Sequence, residues 1–410
     1  MTHPLPALQL LRRVCEDVRG TLDDERAIAL DRAAILLTRL IVEERTGEPG
    51  VDDDDPVAAD LAWWEDFDAE MRAELGRRAE PAAADSAETF DQEAVADFLR
   101  RSFPDEEAIS VVSASVAARG FSKKTMLLRL EGARRLPGEL ALRIDQPFNY
   151  LGTTVVDEYP VIRHLWSNGV RLPEPLVLEP SGAVLGQPFI VFPRVAGGLV
   201  GSNFDSPPRN PTLIADIAAC LAGLHAVPVG EFARRDGKPH LDEEIDRVFA
   251  DWSALGVRSP LIERAFDWVK VHRSLGLGPV SFVHNDYNFN NMLVEGDRVR
   301  AIVDWEFVHV GTPAADLSYF YYSAEATSSF DHFLSAYAVA GGQVPSRETL
   351  EFYILWGQLR LAVMGFQVET GFRQGKFDDI RFGLAGALYL RQSMLRVGRK
   401  LQELIARGEG

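Results

Sequence analysis

Cysteine is almost absent from this chain: of 410 residues, Cys15 and Cys220 alone carry thiols. Each is flanked by helix-like sequence rather than set beside another metal ligand, which excludes a disulfide framework and a cysteine zinc site and fits a reducing cytoplasm. Long apolar runs are also missing. The stretch FYILWGQLRLAVMGF is interrupted by Arg360 and two glycines and is too short to span a bilayer. The start, MTHPLPALQLLRRVCEDVRG, lacks the apolar core and small-residue cleavage site of a signal peptide, so a soluble protein is expected. Basic residues are in deficit, 43 against 61 acidic, for a net charge of -18. Such a field repels phosphate backbones and anionic membranes, so neither nucleic acid nor membrane is an expected partner, while a cationic substrate is compatible.

The remaining composition, 46% hydrophobic and 25% charged, is that of an ordinary globular protein, and the length favours two to three structural units. No internal repeat is visible. From Leu8 to Leu75 apolar residues recur at three- and four-residue spacing, which predicts a small helical bundle. It ends in the linker RRAEPAAADSAE, near residue 85. DQEAVADFLRRSF reads as a helix capped by Asp91. The period then changes: ISVVSASV, KTMLLRLEG and GELALRID read as successive strands of an antiparallel sheet. In GELALRID, alternation sends Leu140, Leu142 and Ile144 to one face and Ala141, Arg143 and Asp145 to the other. A helix follows around DEYPVIRHLWSNG, where Pro160 is comfortable only if the helix starts near Asp157. After the strand QPFIVFPRV, the pattern is helical except for the hairpin NMLVEGDRVRAIVDWE.

The most unusual segment is FVHNDYNFNNML, residues 282 to 293, followed by DWE at 304. Asp286 and Asn291 lie five residues apart, and closing the hairpin at EGDR brings Asp304 back toward Asn291. Two carboxylates and an amide oxygen then share one end of a supersecondary unit. That donor set suits a hard cation such as Mg²⁺, and Mg²⁺ in turn suits polyphosphate.

The pattern His284-x-Asp286-x-x-x-x-Asn291, with Asp304-Trp305-Glu306, resembles the catalytic loop and metal-binding segment of the aminoglycoside phosphotransferase and choline kinase superfamily. The stretch IVDWEFVHVGTPAADLSYF looks closest to phosphotransferase domains associated with acyl-CoA dehydrogenases. The resemblance covers roughly residues 90 to 400. It implies an α+β, bilobal protein-kinase-like fold: a helical extension over 1–85, a β-rich N-lobe over 86–194 and a helical C-lobe over 195–410. It also implies that Asp286 accepts or orients the proton of a substrate hydroxyl, and that Asn291 and Asp304 hold Mg²⁺ on the phosphates of ATP. His284 would brace the loop, and Asp316 would fix backbone geometry. ARGFSKKT resembles the loop covering the nucleotide, with Gly120 permitting close backbone approach and Ser122 donating to phosphate. Arg143 stands where protein kinases carry a phosphate-binding lysine, with Glu158 as its partner. PFIVFPRVAGG resembles the hinge between lobes, where the Pro193 carbonyl and the Val195 N–H would bracket adenine.

Other polar residues have plainer readings. Asn285, Asn288 and Asn290 suit loop bracing. Glu306 fits a salt bridge and Mg²⁺ equally well. The runs DDDD at 52–55 and DEEID at 242–246 read as solvated faces. His225 and His272 read as structural, and Trp63 and Trp64 as core packing or docking. The expected activity is Mg²⁺-dependent transfer of the ATP γ-phosphoryl group to a small-molecule hydroxyl. The acceptors in view are a hydroxyacyl-CoA or another hydroxylated metabolite, an aminoglycoside, and a choline-like amine. The alternative is a catalytically silent nucleotide-binding regulator acting through its N-terminal helices.

Overall fold

A computed structural model describes residues 55–75, 91–119, 123–146, 152–199, 209–233, 240–376 and 389–408. The helices expected before residue 55, residues 52–54 of the acidic run, and the boundary near residue 85 lie outside them. The chain divides into two compact units that interleave in sequence. One comprises Met1–Ala84, Leu241–Leu275 and Ile354–Gly410, and the other Asp85–His240 and Gly276–Tyr353.

The second unit opens with the helix Gln92–Ser102, whose Asp91 side chain accepts from the Ala94 N–H at 2.9 Å, as a capping residue should. Strands β1 (Ser110–Arg119), β2 (Lys123–Glu131), β3 (Glu139–Asp145), β4 (Val177–Glu179) and β5 (Phe189–Pro193) form an antiparallel sheet in the order β1-β2-β3-β5-β4. The alternation read from GELALRID holds. Leu140, Leu142 and Ile144 are buried with Met126, Leu128 and Leu130 against Val95, Ala96 and Leu99 of the helix. The opposite face carries Arg143, level with Thr125 on β2 and Ile190 on β5.

The helix after β3 runs Val155–Ser167, starting two residues before the expected Asp157. Thr154 and Asp157 form a reciprocal capping box that fixes the earlier start. Pro160 therefore lies inside the helix, where it cannot donate to the carbonyl of Val156; Val156 itself is exposed, so water can serve that carbonyl.

Beyond the sheet, the same unit is not helical apart from one hairpin, as the sequence suggested. The hairpin is there, β8 (Met292–Glu295) with β9 (Arg298–Ile302), but β6 (Gly198–Leu199) pairs with β8, and β7 (Ser281–Val283) with β10 (His309–Gly311). These strands of two or three residues are too short to show an alternation. Helix Pro211–His225 packs against β7 and β9, helix Phe330–Val339 packs on that helix, and the Tyr287 hydroxyl donates to the Ile217 carbonyl at 2.8 Å.

In the first unit, helix Pro56–Leu75 packs against Pro260–His272 and Arg391–Ala406. Its buried Asp60 accepts from the Ser259 hydroxyl at 2.5 Å and the Leu261 N–H at 3.1 Å, capping the neighbouring helix from outside. Trp64 is buried edge-on to Phe366, so core packing is its role, while Trp63 stacks on Phe67. The reading of DEEID as a solvated face fails at Glu244. This residue is buried and accepts from Trp356 Nε1 at 3.2 Å and Arg360 Nη1 at 3.0 Å, partners more than a hundred residues away. Among the described residues no helix is long and apolar enough to cross a membrane.

Gly132, just after β2, has φ +77°, and a Cβ there would run into the Ala108 carbonyl. Gly132→Ala should therefore cost more than about 1 kcal/mol and lower the melting temperature by at least about 3 °C in a calorimetric scan.

Candidate active site

The segment Val283 to Met292 links β7 to β8 and carries the polar cluster seen in the sequence. Asn285 has φ 62° and Asp304 has φ 65°; among the described residues other than glycine, only these two have positive φ. Such geometry persists only where the surroundings hold it. At Asn285 the holding group is Asp316, fully buried at the start of helix Ala314–Tyr319. Its carboxylate accepts from the His284 N–H at 2.8 Å, the Asn285 N–H at 2.6 Å and His225 Nε2 at 3.1 Å. Burial pushes the Asp316 carboxyl up, but the His225 bond and the other donors outweigh it and hold it below the usual carboxylate range. His225 also meets the Tyr337 hydroxyl at 2.8 Å. His284 accepts the Asp286 N–H at Nδ1, 3.3 Å, and its Nε2 lies 3.0 Å from the Val303 carbonyl. That pattern fits the tautomer with the proton on Nε2, a bracing imidazole rather than a base.

Asp286 and Asn291 come together as their spacing suggested. The Asn291 amide donates to the Asp286 carbonyl at 2.9 Å and to its Oδ2 at 2.7 Å, leaving the Asn291 Oδ1 as an acceptor for a cation. Burial raises the Asp286 carboxyl above its ordinary range, opposed by a hydrogen bond from Tyr319 and aided by the nearby charge of Asp304.

Arg143 crosses from β3 to the far end of the hairpin. Its Nη2 lies 2.5 Å from Asp304 Oδ1 and 3.4 Å from Glu306 Oε2, and its Nε lies 3.3 Å from Glu158 Oε2. Burial disfavours the guanidinium charge, but Asp304, Glu158 and Glu306 outweigh it and raise the pKa. Glu306 thus makes the salt bridge that was one of its two readings. For Glu158 the balance goes the other way: burial raises its carboxyl despite Arg143 and Lys123.

Pro193 ends β5 opposite Leu140, while Arg143 lies opposite Ile190. Three residues of strand, about 10 Å, therefore separate the Pro193 carbonyl from the Arg143 backbone. Val195 follows two residues on. Gly120 and Ser122 lie outside the described residues, although the strands flanking them pair at Arg119 and Lys124.

Two residues escaped the sequence reading. Lys123 is buried between Asp145, Glu158 and the Thr153 carbonyl. The hairpin register puts Lys123 opposite Asp145, so pairing β2 with β3 on paper would have set these opposite charges side by side. Tyr319 reaches Asp286 from a helix 33 residues downstream, and no local pattern marks it.

The cluster gathers five carboxylates, Asp145, Glu158, Asp286, Asp304 and Glu306, around two cations, Lys123 and Arg143. Oxygen donors of this kind are the type that suits a hard divalent cation.

Residues 113–353, more than half the chain, match the phosphotransferase enzyme family, and the protein belongs to that family. Its fold agrees. A structure from Ralstonia eutropha classed with the aminoglycoside phosphotransferases superposes with a TM-score of 0.59 at 20% identity, covering 77% of this chain and 99% of the other. The GDP complex of a mutant aminoglycoside 2'-phosphotransferase-IIIa superposes at 0.53 and 14% identity, covering 78% of this chain and 100% of that one. Among curated proteins, acyl-CoA dehydrogenase family member 11 of Gallus gallus is 22% identical over 328 residues, 73% of this chain and 41% of that protein. Family member 10 of Mus musculus is 24% identical over 186 residues, 42% of this chain and 17% of that protein. The chain thus spans less than half the length of these curated relatives.

Asp316→Asn removes the charge that holds the loop backbone. Because the folded pKa of Asp316 is depressed, its contribution is fully present above the unfolded value, about 3.9, and is lost as pH falls through the folded value. Urea unfolding should show Asp316→Asn less stable than wild type by about 2 kcal/mol at neutral pH. The gap should narrow below about pH 4.

Proposed function

We propose that this phosphotransferase moves the γ-phosphoryl group of ATP to the hydroxyl of a small molecule with the help of Mg²⁺. The observation that carries the reading is the meeting of Asp286 with Asn291 and of Arg143 with Asp304. It supports a proton acceptor, a cation site and a phosphate-facing guanidinium within one cluster. Asp286 accepts the proton of the acceptor hydroxyl as the hydroxyl oxygen attacks the γ-phosphorus and the bond from that phosphorus to the β–γ bridging oxygen breaks, releasing ADP; its raised pKa makes Asp286 a better base than an exposed aspartate. Asn291 Oδ1 and the Asp304 carboxylate would hold Mg²⁺, which supplies charge neutralisation on the phosphates. Arg143 turns its Nη2 edge toward the transferred group, with Glu158 steadying its Nε. The carbonyl of Pro193 and the N–H of Val195 receive adenine, and Gly120 and Ser122 close over the phosphates. Catalysis in such a site rests on positioning and electrostatics more than on covalent chemistry.

For the acceptor we favour a hydroxyacyl-CoA or a related hydroxylated metabolite, because the curated relatives carry their matching segment within proteins named acyl-CoA dehydrogenases. A reducing cytoplasm suits the free, buried Cys220, whose thiol burial pushes up to about 12.

The test is acceptor-dependent ADP formation with Mg-ATP across hydroxyacyl-CoAs, sugars, choline-like amines and aminoglycosides, comparing wild type with Asp286→Ala. Turnover with hydroxyacyl-CoAs, reduced at least about 100-fold in the variant with Mg-ATP affinity nearly unchanged, is expected. Turnover confined to aminoglycosides would overturn the acceptor. Near-normal turnover by Asp286→Ala would overturn the mechanism.

A further inference from the structure

Lys123 is the buried cation that the proposed reaction does not use. Its side chain is 2% exposed and reaches three partners: the Thr153 carbonyl at 2.6 Å, Asp145 Oδ1 at 3.4 Å and Glu158 Oε1 at 3.5 Å. Lys123 donates a hydrogen bond to the Thr153 carbonyl, and its charge is paired with the two carboxylates. Two of its partners are themselves fixed. Asp145 accepts the Val155 N–H at 3.1 Å, and Thr153 immediately precedes the cap of the helix that carries Glu158. Lys123 therefore ties β2 and β3 to the first turn of that helix.

The consequence falls on Arg143. In a guanidinium, the Nε–H and one Nη2–H point the same way from one edge, and a carboxylate beside that edge tends to take both. Here the edge is divided: Nε goes to Glu158 Oε2, whereas Nη2 goes to Asp304 and Glu306. Glu158 Oε1, the oxygen that would complete the fork, faces Lys123 instead. At 3.5 Å that contact is an ion pair rather than a hydrogen bond, and Oε1 has no hydrogen-bond donor among the described residues.

We propose that Lys123 is a positioning residue that keeps the Arg143 fork divided: by holding Glu158 Oε1, it stops Glu158 from capturing Nη2, which stays directed toward Asp304 and the phosphate side of the site. This rests on the reading of Arg143 as a phosphate ligand. Without Lys123, Glu158 takes both Arg143 donors and draws the guanidinium back along β3.

The experiment is calorimetric titration of wild type, Lys123→Met, Lys123→Met/Glu158→Gln and Arg143→Ala with Mg-ATP and with adenosine, which lacks the phosphates. Melting curves check that each variant is folded. Lys123→Met should weaken Mg-ATP about tenfold and leave adenosine within about twofold. The double variant, in which a neutral amide competes poorly for the guanidinium, should recover most of the loss, a non-additivity expected of coupled neighbours. A merely structural lysine would not produce that recovery. Should Lys123→Met prove unfolded, Lys123→Arg serves. It keeps the charge but cannot direct three donors from one point, so it should lose a smaller part of the Mg-ATP affinity and none of the adenosine affinity. Equal losses for both ligands, or wild-type Mg-ATP binding by the lysine variants while Arg143→Ala binds weakly, would overturn the inference alone. Wild-type Mg-ATP binding by Arg143→Ala would overturn it together with the reading it rests on.

Discussion

The geometry of the site hangs on the Asp316 carboxylate, which is buried without a lysine or arginine partner among the described residues and held by two backbone N–H groups and one imidazole. A carboxylate in that position is costly unless its oxygens are satisfied. Here the donors that satisfy it are the N–H groups of His284 and Asn285, so its stability and the shape of the loop are the same fact. The left-handed turn at Asn285 follows, and with it the direction in which Asp286 leaves the loop.

The second organising feature is a chain of alternating charge. Lys123, Glu158, Arg143 and Asp304 follow one another from β2 across to the hairpin, each carboxylate next to a cation. In a buried setting such a series is rigid, because displacing one member leaves its neighbours unpaired at low dielectric. The sheet supplies both cations, and the oxygens come from the end of β3, the helix after it, the loop and the segment following the hairpin, so the chemistry of the cluster depends on the β3 register as much as on the loop.

Much of this was legible in the sequence because it is local. The alternation in GELALRID fixed which face Arg143 takes, the EGDR turn brought Asp304 back to Asn291, and Asp91 announced its helix. What was hidden came from distance or brevity. Glu244 looked solvated because Trp356 and Arg360 lie far along the chain, and Tyr319 approaches Asp286 only after folding. Strands of two or three residues show no period. The helix near Pro160 began early because the Thr154–Asp157 capping box outweighed the proline.

The backbone at Asp304 narrows what evolution can write there. With φ at 65°, the position tolerates glycine, asparagine and aspartate and penalises most other side chains. Partnering the Arg143 guanidinium as an ion pair demands a carboxylate. Conformation and charge each admit a short alphabet, and aspartate is the one letter the two have in common. Glutamate keeps the charge but lacks the short side chain that makes the left-handed turn tolerable, and asparagine accepts the turn but loses the charge. A drift at 304 therefore cannot pass through a neutral intermediate that keeps both properties.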